Sequence, residues 1–426
     1  MKPAYKVAIG AAALLLGTAL VATRPAGDRE EARPARAQLA EVTPAAHHEI
    51  DYARIDSRLK RLLERPAMVG LAVGIVENGR ITFLKGYGET LANSDDPVTP
   101  ETVFRWASVS KGVAGTIVAK QAEEGRVDLS APVARYSKTL RLPDGAEHRA
   151  TVGDVLSHRL GIYRNAYDNK LEEGQDPRLL RMQLAKLDLI CQPGTCWSYG
   201  NVAYDAATEI VQRETGTPFR EALDRRLFEP LGMTSASITR EGLMSSPSWA
   251  RPHNNGRREV ELTDIYYKVP SAGGVNSDIK DLTLWMLAQM GQMPDVISPN
   301  VLQAIHAPLV ETPTERRRLR KFLERLGTAW YGYGWRSYDY AGHRIVGHRG
   351  GLNGYRSLIL FDPKKKSGVV ALWNSNTSQP NGLQFEVMDM VHNLPFRDWL
   401  QIERSASPAE SAAEDEETSD TGGGAS

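Results

Sequence analysis

Val69-Gly70-Leu71-Ala72-Val73-Gly74-Ile75-Val76 is followed, one residue on, by Asn78-Gly79 and then by Ile81-Thr82-Phe83-Leu84. Apolar, partly β-branched runs on either side of Asn-Gly, a pair that accepts left-handed backbone angles, predict a β-hairpin with a tight turn. The pattern has a counterpart near the other end of the chain. Strands are expected around residues 344–348, at 355–361 and at 369–373, with Asp362-Pro363 as a turn, and a closing helix is expected over 383–400. Ahead of the hairpin, Ile55, Leu59, Leu62 and Leu63 share one helical face and Pro66 ends that helix. Between these ends lies a mostly helical stretch, roughly 108–325, broken by Gly and Pro loops. Strands at both ends with helices between them predict an α/β (α+β) fold whose sheet is built from both termini, with an all-α subdomain inserted.

The 426 residues carry 52 Lys plus Arg against 52 Asp plus Glu and are 41% hydrophobic. Such a chain can bury a large core, so it is neither a disordered tail nor a small disulfide scaffold. A nucleic-acid grip driven by net positive charge has no support. The balance is an average over unlike parts: residues 1–37 hold six bases and three acids, 38–404 hold 46 and 43, and 405–426 hold none and six. Residues 1–23 begin with Lys2 and Lys6 and then run without charge from Val7 to Thr23, the pattern of a secretory leader. Cleavage and export to the periplasm or the medium is the expectation, with a retained anchor and membrane association as the alternative; a span needs about 20 apolar residues. A small-x-small cleavage site appears only at Ala35-Arg36-Ala37, and no Cys stands near the end of the apolar run to accept a lipid. Residues 24–46 and the acidic 405–426 read as solvated segments. One folded unit, 47–404, remains, with no internal repeat.

The chemistry is expected where residues 103–107, strand-like, run into a helix beginning at Ser108. In Ser108-Val109-Ser110-Lys111 a hydroxyl and an amine stand three apart, on one face of a helix. A serine alcohol is a weak nucleophile, and a desolvated amine beside it can take its proton. Val109, Val113, Ile117, Ala114, Val118 and Ala122 make that helix apolar on most sides, so it is buried, where a lysine loses its charge more readily. Alone, a capping Ser and a surface Lys explain the pattern as well. Partners are offered by Trp197-Ser198-Tyr199-Gly200-Asn201, a phenol and an amide two apart, and by Val346-Gly347-His348-Arg349-Gly350-Gly351, a strand with an imidazole and two glycines.

These three segments, 91 and 149 residues apart at Ser108, Tyr199 and His348, resemble the active-site set of the serine β-lactamase and penicillin-binding-protein superfamily, closest to its class C β-lactamase-like branch. Leu156-Ser157-His158-Arg159-Leu160-Gly161, Glu229-Pro230-Leu231-Gly232-Met233 and Ala272-Gly273-Gly274-Val275 add to the likeness, which covers roughly residues 50–400. It implies a β-lactamase-like fold, an antiparallel sheet flanked by helices with the inserted all-α subdomain. It implies Ser108 as nucleophile and Lys111 as the amine that activates it and holds Tyr199 at a low pKa, with Tyr199 as base and then acid. Asn201 would bind the substrate amide and fix Lys111. The N–H groups of Ser108 and Gly351, the latter on an edge strand, would form the oxyanion hole. A phenol near pKa 10 needs a neighbouring cation to act as a base at neutral pH. Glycines at 350 and 351 would let a substrate backbone approach.

Class C β-lactamases carry Lys-Thr-Gly where this chain has His348-Arg349-Gly350, which puts efficient β-lactamase activity in doubt and resembles D-alanyl-D-alanine carboxypeptidases and D-amino-acid peptidases. Lys366-Ser367-Gly368 fits the letters better, but the preceding Asp362-Pro363 turn places it at a hairpin tip. Arg349 either clamps a substrate carboxylate or, by strand alternation, faces away from His348. Cys191 and Cys196 flank the Pro193-Gly194 turn before Tyr199, and in an oxidising compartment a disulfide is expected there. No metal or other cofactor is expected: the nine histidines show no HExxH and the cysteines no CxxC. Residues 316–321, a basic run, read as a solvated helix with an apolar side, the alternative being contact with anionic lipid. Tyr331, Tyr333 and Trp335 serve either as core or as a wall of the cleft.

The expected activity is that of an exported serine hydrolase working through an acyl-enzyme on small peptide or amide substrates that contain D-amino acids or modified residues. Carboxylesterase or weak β-lactamase activity is the alternative with the same residues. A penicillin-binding sensor that acylates without turnover is the alternative from another class. Sequence alone leaves the oligomeric state open.

Overall fold

A computed structural model describes residues 48–403, together with residue 39 and residues 41–43. The expected leader or anchor, most of the expected linker and the acidic tail lie outside the described residues.

Helix α1 (Tyr52–Leu63) starts at Asp51, whose side chain accepts from the Arg54 N–H, and buries Ile55, Leu59 and Leu62. Strands β1 (Gly70–Glu77) and β2 (Arg80–Gly88) follow, joined at Asn78 and Gly79 with φ of 53° and 77°. Two consecutive left-handed residues are what a two-residue hairpin turn requires, and Asn-Gly adopts them at least cost. After β3 (Phe104–Arg105) and a 3-10 turn at Ala107–Val109 comes α2 (Ser110–Glu123), buried on nearly every side. The helical stretch continues through α3 (Asp168–Glu172) and α4 (Asn201–Tyr204) to β4 (Asn276–Ser277) and α5 (Ile279–Gln289). Then come β5 (Val310–Glu311), α6 (Pro313–Arg318), β6 (Leu326–Tyr331), β7 (Arg336–Tyr340), β8 (His343–Leu352), β9 (Tyr355–Asp362), β10 (Ser367–Trp373) and α7 (Leu383–Val391).

The main sheet is antiparallel with strand order β2-β1-β10-β9-β8-β7-β6-β5. The first and last long strands pair, from Leu71↔Trp373 to Val76↔Gly368, so both ends of the chain enter one sheet as expected. That position explains why β1 is buried throughout: it lies between β2 and β10, and its alternate side chains enter different cores. Ala72 and Val76 join Val113, Ile117 and Trp285 on the face of α2 and α5. Leu71, Val73 and Ile75 join Ile55, Leu59, Val387 and Met388 on the face of α1 and α7. Across that second face Arg58 of α1 grips Glu386 of α7 in a fork, Nε to Oε2 at 2.6 Å and Nη2 to Oε1 at 2.7 Å.

Several expectations are corrected. The last helix ends at Val391 rather than near 400, because Asn393 turns left-handed at φ 51° and Pro395 cannot continue a helix. The inserted stretch is not purely helical: β3 pairs with β4 beneath the nucleophile turn, and β5 joins the main sheet. Extended pairing before Ser108 covers Val103, bridged to Trp249, and Phe104–Arg105 but not 106–107, and the α-helix proper begins at Ser110. Finally, β8 is not an edge strand. Its first half pairs with β7, and only because β7 begins at Arg336, opposite Gly347, is the flank of residues 348–351 open on that side.

Among the described residues no helix is long and apolar enough to cross a membrane.

Candidate active site

The turn at Ala107–Val109 sets Ser108 down between sheet and helices. Ala107 is left-handed at φ 49° and buried, a conformation costing an L-residue roughly 1–2 kcal/mol, so its surroundings must impose it. They do so from two sides. Trp106 N–H donates to Val275 O at 2.8 Å and Val275 N–H donates to Ser110 Oγ at 3.0 Å. Opposite, Ser357 Oγ donates to Trp106 O at 2.6 Å. A Cβ on Gly350 would lie 2.3 Å from that same Trp106 O and 2.3 Å from Ser357 Oγ. Gly350 is thus required for β8 to seat against the nucleophile turn. The expected approach of a substrate backbone at this position is corrected to an approach of the protein's own backbone.

Lys111 is fully buried, and its Nζ donates to Asn201 Oδ1 at 2.6 Å and to Ala272 O at 2.8 Å, with Ser108 Oγ at 3.3 Å. Burial brings the amine down to about 7, with the Asp168 and Asp205 carboxylates opposing the fall and Arg336 reinforcing it. A neutral amine has two N–H donors and one lone pair. The two short contacts go to acceptors, which leaves the lone pair for the Ser108 hydroxyl proton. Tyr199 O–H donates to Ser108 Oγ at 2.9 Å.

The expected low pKa of Tyr199 is corrected. Burial pushes the phenol up to about 12, with the Ser108 hydrogen bond and Arg336 only partly opposing it. In the resting site Tyr199 therefore holds its proton and Lys111 is the group able to accept one.

Asn201 is fixed from behind. Asp168, at the start of α3, accepts from Asn201 Nδ2 at 2.9 Å and from the backbone N–H groups of Asn201 and Val202 at 3.1 and 3.2 Å. Asn201 thus holds Lys111, as expected, while an Nδ2 hydrogen expected for substrate is engaged by Asp168. His158, from Leu156-Ser157-His158, lies under Tyr199 with ring centroids 4.3 Å apart; its carbonyl accepts from Ser198 N–H at 2.8 Å and its Nδ1 from Gly200 N–H at 3.4 Å. Burial, with Lys111 and Arg336, keeps this imidazole well below its ordinary value, so it is neutral packing beneath the phenol.

His348 is buried as well, and burial, Arg336 and Lys111 drive it well below the usual histidine range. Its Nδ1 stands 2.7 Å from Arg349 O, which can only accept, so we assign the proton to Nδ1 and let Nε2 accept from Tyr331 O–H at 3.1 Å. Both ring nitrogens are engaged, and the position that carries Lys in Lys-Thr-Gly here carries no charge. The nearby cation is Arg336, buried beside the rings of Tyr331 and Tyr199 at 5.3 and 5.8 Å. Glu315 binds it at 3.3 Å and Arg349 Nη2 at 2.7 Å. Burial favours a neutral Glu315, but the two guanidinium groups hold it down at about 2. Strand register puts Arg349 and Gly351 opposite Leu358 and Arg356 on one face, and His348 and Gly350 opposite Ile359 and Ser357 on the other. Arg349 therefore faces away from His348, the second of its two expected placements.

Ser108, Tyr199, Asn201, His348, Gly350 and Gly351 all line one cleft of about 520 Å³. Asp168, Glu315 and Arg336, which line it too, escaped the sequence reading: each is a lone charged residue with no motif spacing. Tyr331 and Trp335 are core, the latter stacked on Trp285 at 6.4 Å, and neither they nor Tyr333 line the cleft. Cys191 and Cys196 are bonded, closing the turn before Tyr199. Lys366 is the left-handed turn residue between β9 and β10, outside the cleft. Residues 316–321 are helical in part, over α6 and a 3-10 turn, but Arg318, Arg320 and Lys321 line the cleft, a placement neither expected reading included.

One set of described residues has metal-ligand chemistry: His343, Asp362 and His392 each offer an atom within 4.8 Å of the others. They come from three elements and lie outside the cleft, and no sequence spacing reveals them.

Comparison with known proteins places this geometry. The family model described as Beta-lactamase matches residues 55–388. The chain is 26% identical over 343 residues to the unguisins hydrolase ungD' of Aspergillus campestris, covering 77% of this chain and 62% of that protein. It is 25% identical over 329 residues to Protein flp of Staphylococcus aureus, covering 76% and 63%. The chain thus spans somewhat less than two thirds of the length of these relatives. Among solved structures, a penicillin-binding protein homologue from Pyrococcus abyssi, described as octameric, aligns with a TM-score of 0.72 at 22% identity over 81% of this chain and 78% of that one. A D-stereospecific amidohydrolase from Streptomyces sp. aligns with a TM-score of 0.60 at 20% identity over 76% and 95%.

Proposed function

Since the chain belongs to the β-lactamase family of serine hydrolases, we propose that it is a hydrolase whose acyl-enzyme forms on Ser108 and whose substrates are small peptides or amides containing D-amino acids or modified residues. The observation that carries this reading is the proton path Tyr199 O–H, Ser108 Oγ, Lys111 Nζ, in which a buried amine brought down to about 7 ends the line.

Ser108 gives its proton to the Lys111 lone pair as Oγ attacks the substrate carbonyl. The N–H groups of Ser108 and Gly351 receive the developing oxyanion. On collapse the leaving nitrogen takes the Tyr199 proton, leaving a phenolate, an ammonium on Lys111 and an ester on Ser108. Only at this stage is the phenol the low-pKa base that family resemblance implies, with the Lys111 ammonium and Arg336 beside it. It removes a proton from the entering water, whose oxygen attacks the ester. Ser108 Oγ then leaves, taking back the proton from Lys111, and the acid product departs. No charge is created overall in either half.

A leaving amine needs a proton, and a donor 2.9 Å from the nucleophile supplies one, which supports amides over esters. The structural likeness to a D-stereospecific amidohydrolase supports the D-residue part of the reading. Export belongs to the reading too and is supported by the Cys191–Cys196 bond, since such bonds persist outside reducing compartments. The test is turnover of a peptide ending in D-Ala-D-Ala, of a short nitrophenyl ester and of penicillin, each followed by intact-protein mass as well as product. Peptide cleavage that Ser108→Ala abolishes is the expected result. Equal turnover by Ser108→Ala overturns the mechanism, ester cleavage without peptide cleavage replaces amidase by esterase, and a stable penicillin adduct without product replaces the enzyme by a sensor.

A further inference from the structure

His343, Asp362 and His392 are brought together by the sheet and by α7. Val346 of β8 stands opposite Phe361 of β9, so the start of one strand lies beside the end of the other. Alternation puts His343 on the face of Ile345 and Asp362 on the face of Leu360, and both of those apolar side chains belong to the core beneath α1 and α7. On that same face α7 packs Val387, Met388 and Val391, and His392 follows directly as its C-cap. The rings of His343 and His392 stack with centroids 3.8 Å apart and planes 17° from parallel.

The His392 side chain is 0% exposed, yet neither of its ring nitrogens has a hydrogen-bond partner among the described residues. Its Nε2 stands 3.4 Å from Asp362 Oδ2, outside hydrogen-bond geometry. A buried polar ring left in this way is costly unless something else binds it, and imidazole is the commonest protein ligand of transition metals. Asp362 is already aimed: its Oδ1 accepts from the backbone N–H groups of Lys364 and Lys365 at 2.7 and 3.0 Å, which leaves Oδ2 towards the imidazole. A carboxylate held through its second oxygen is the usual support of a metal ligand. Lys365 Nζ, the nearby cation, is paired with Glu49 Oε1 at 3.3 Å, so its charge is offset. His343 is exposed and gives the set an entrance from solvent.

We propose that His343, Asp362 and His392 bind one divalent transition-metal ion of the zinc type, with water in the fourth position, and that the ion clamps the end of α7 to the ends of β8 and β9. Two imidazole nitrogens and a carboxylate oxygen form a donor set that zinc takes, whereas magnesium and calcium favour oxygen alone. Tetrahedral bonds of about 2.0–2.2 Å place ligand atoms about 3.4 Å from one another. The three atoms here lie within 4.8 Å, and a turn of the exposed His343 ring out of the stack closes the difference. His343 lies at the opposite end of β8 from Gly350 and Gly351 and outside the cleft, so the ion takes no part in the chemistry at Ser108.

Zinc titrated into the EDTA-treated full chain, in competition with a chromophoric chelator, measures affinity and stoichiometry; heat unfolding with and without zinc measures the clamp. One zinc per chain is expected, together with a rise of several degrees in the unfolding midpoint. His343→Ala is expected to bind at least about tenfold more weakly and to lose the rise, while unfolding in EDTA at the same temperature as the unsubstituted protein. That unchanged midpoint shows an intact fold, which the buried His392→Ala does not guarantee. Zinc that binds both proteins alike, or that leaves the midpoint of the unsubstituted protein unmoved, overturns the site. Displacement of the zinc by a large excess of magnesium would contradict the nitrogen ligands.

Discussion

Lys111 has two near acceptors and one more distant partner, and this inequality of 2.6 and 2.8 Å against 3.3 Å assigns the labour at the residue scale. The amine is held by Asn201 and Ala272 and works on Ser108. Tyr199 is then needed chiefly for the departing group. Tyr199→Phe should therefore lower kcat for a peptide by about 10²–10⁴, the usual worth of a positioned acid. Formation of the acyl-enzyme from a nitrophenyl ester, whose leaving group needs no proton, should fall by less than about tenfold; burst kinetics on both substrates check the split, and equal losses would contradict it. Ser108, Lys111 and Tyr199 were legible in the sequence because their residue types and separations form a specific combination. Asp168, Arg336 and Glu315 were not, because a single Asp, Arg or Glu acquires meaning only when the fold buries it beside another group. The protonation of Tyr199 was misjudged for a related reason: nearby cations lower a phenol's pKa, but burial raises it, and the depth of burial is not visible in a motif.

At the scale of elements, Glu315 joins α6 to β7 and β8 through Arg336 and Arg349, and so holds the strand ends that border the cleft. Its carboxyl lies below its unfolded value, so the stability it contributes is present in full above about pH 4.5 and is lost as the pH falls towards about 2. A difference of that size corresponds to about 3 kcal/mol near neutrality. Glu315→Gln should lower the urea-unfolding free energy by about this much at pH 7, with the deficit shrinking as pH falls below 4.5. A deficit that does not change with pH would refute the assignment. Elements whose ends are written as local chemistry were legible: Asn78-Gly79 closed its hairpin, and Pro66 lies just beyond the end of α1. The two-residue strands β4 and β5 were not, since they owe their extension to partners elsewhere in the sequence, whereas β3 lies within the strand-like 103–107. The last helix was drawn too long because the apolar residues beyond Val391 pack as irregular chain: Trp399 and Leu400 reach the second core without helical geometry.

Over the whole molecule, the pairing of β1 with β10 and the buried Arg58–Glu386 fork close the two ends of the fold on each other. The sheet so formed covers one side of α2, and the helical stretch encloses the rest, which is how a lysine comes to lie in a dry interior. The balanced overall charge conceals this organisation, with the Lys111 amine stripped of solvent behind Ser108, while Arg65, Arg318, Arg320 and Lys321 are among the residues that line the cleft. Because the account makes the buried Lys111 amine the base for Ser108, the direct test is the rate of acyl-enzyme formation from a short neutral nitrophenyl ester, followed by stopped flow as a function of pH. The rate should rise as Lys111 loses its proton, with a midpoint near pH 7 and a plateau above it. A rate that is flat between pH 6 and 9, or that rises only as the phenol of Tyr199 titrates towards about 12, would contradict it.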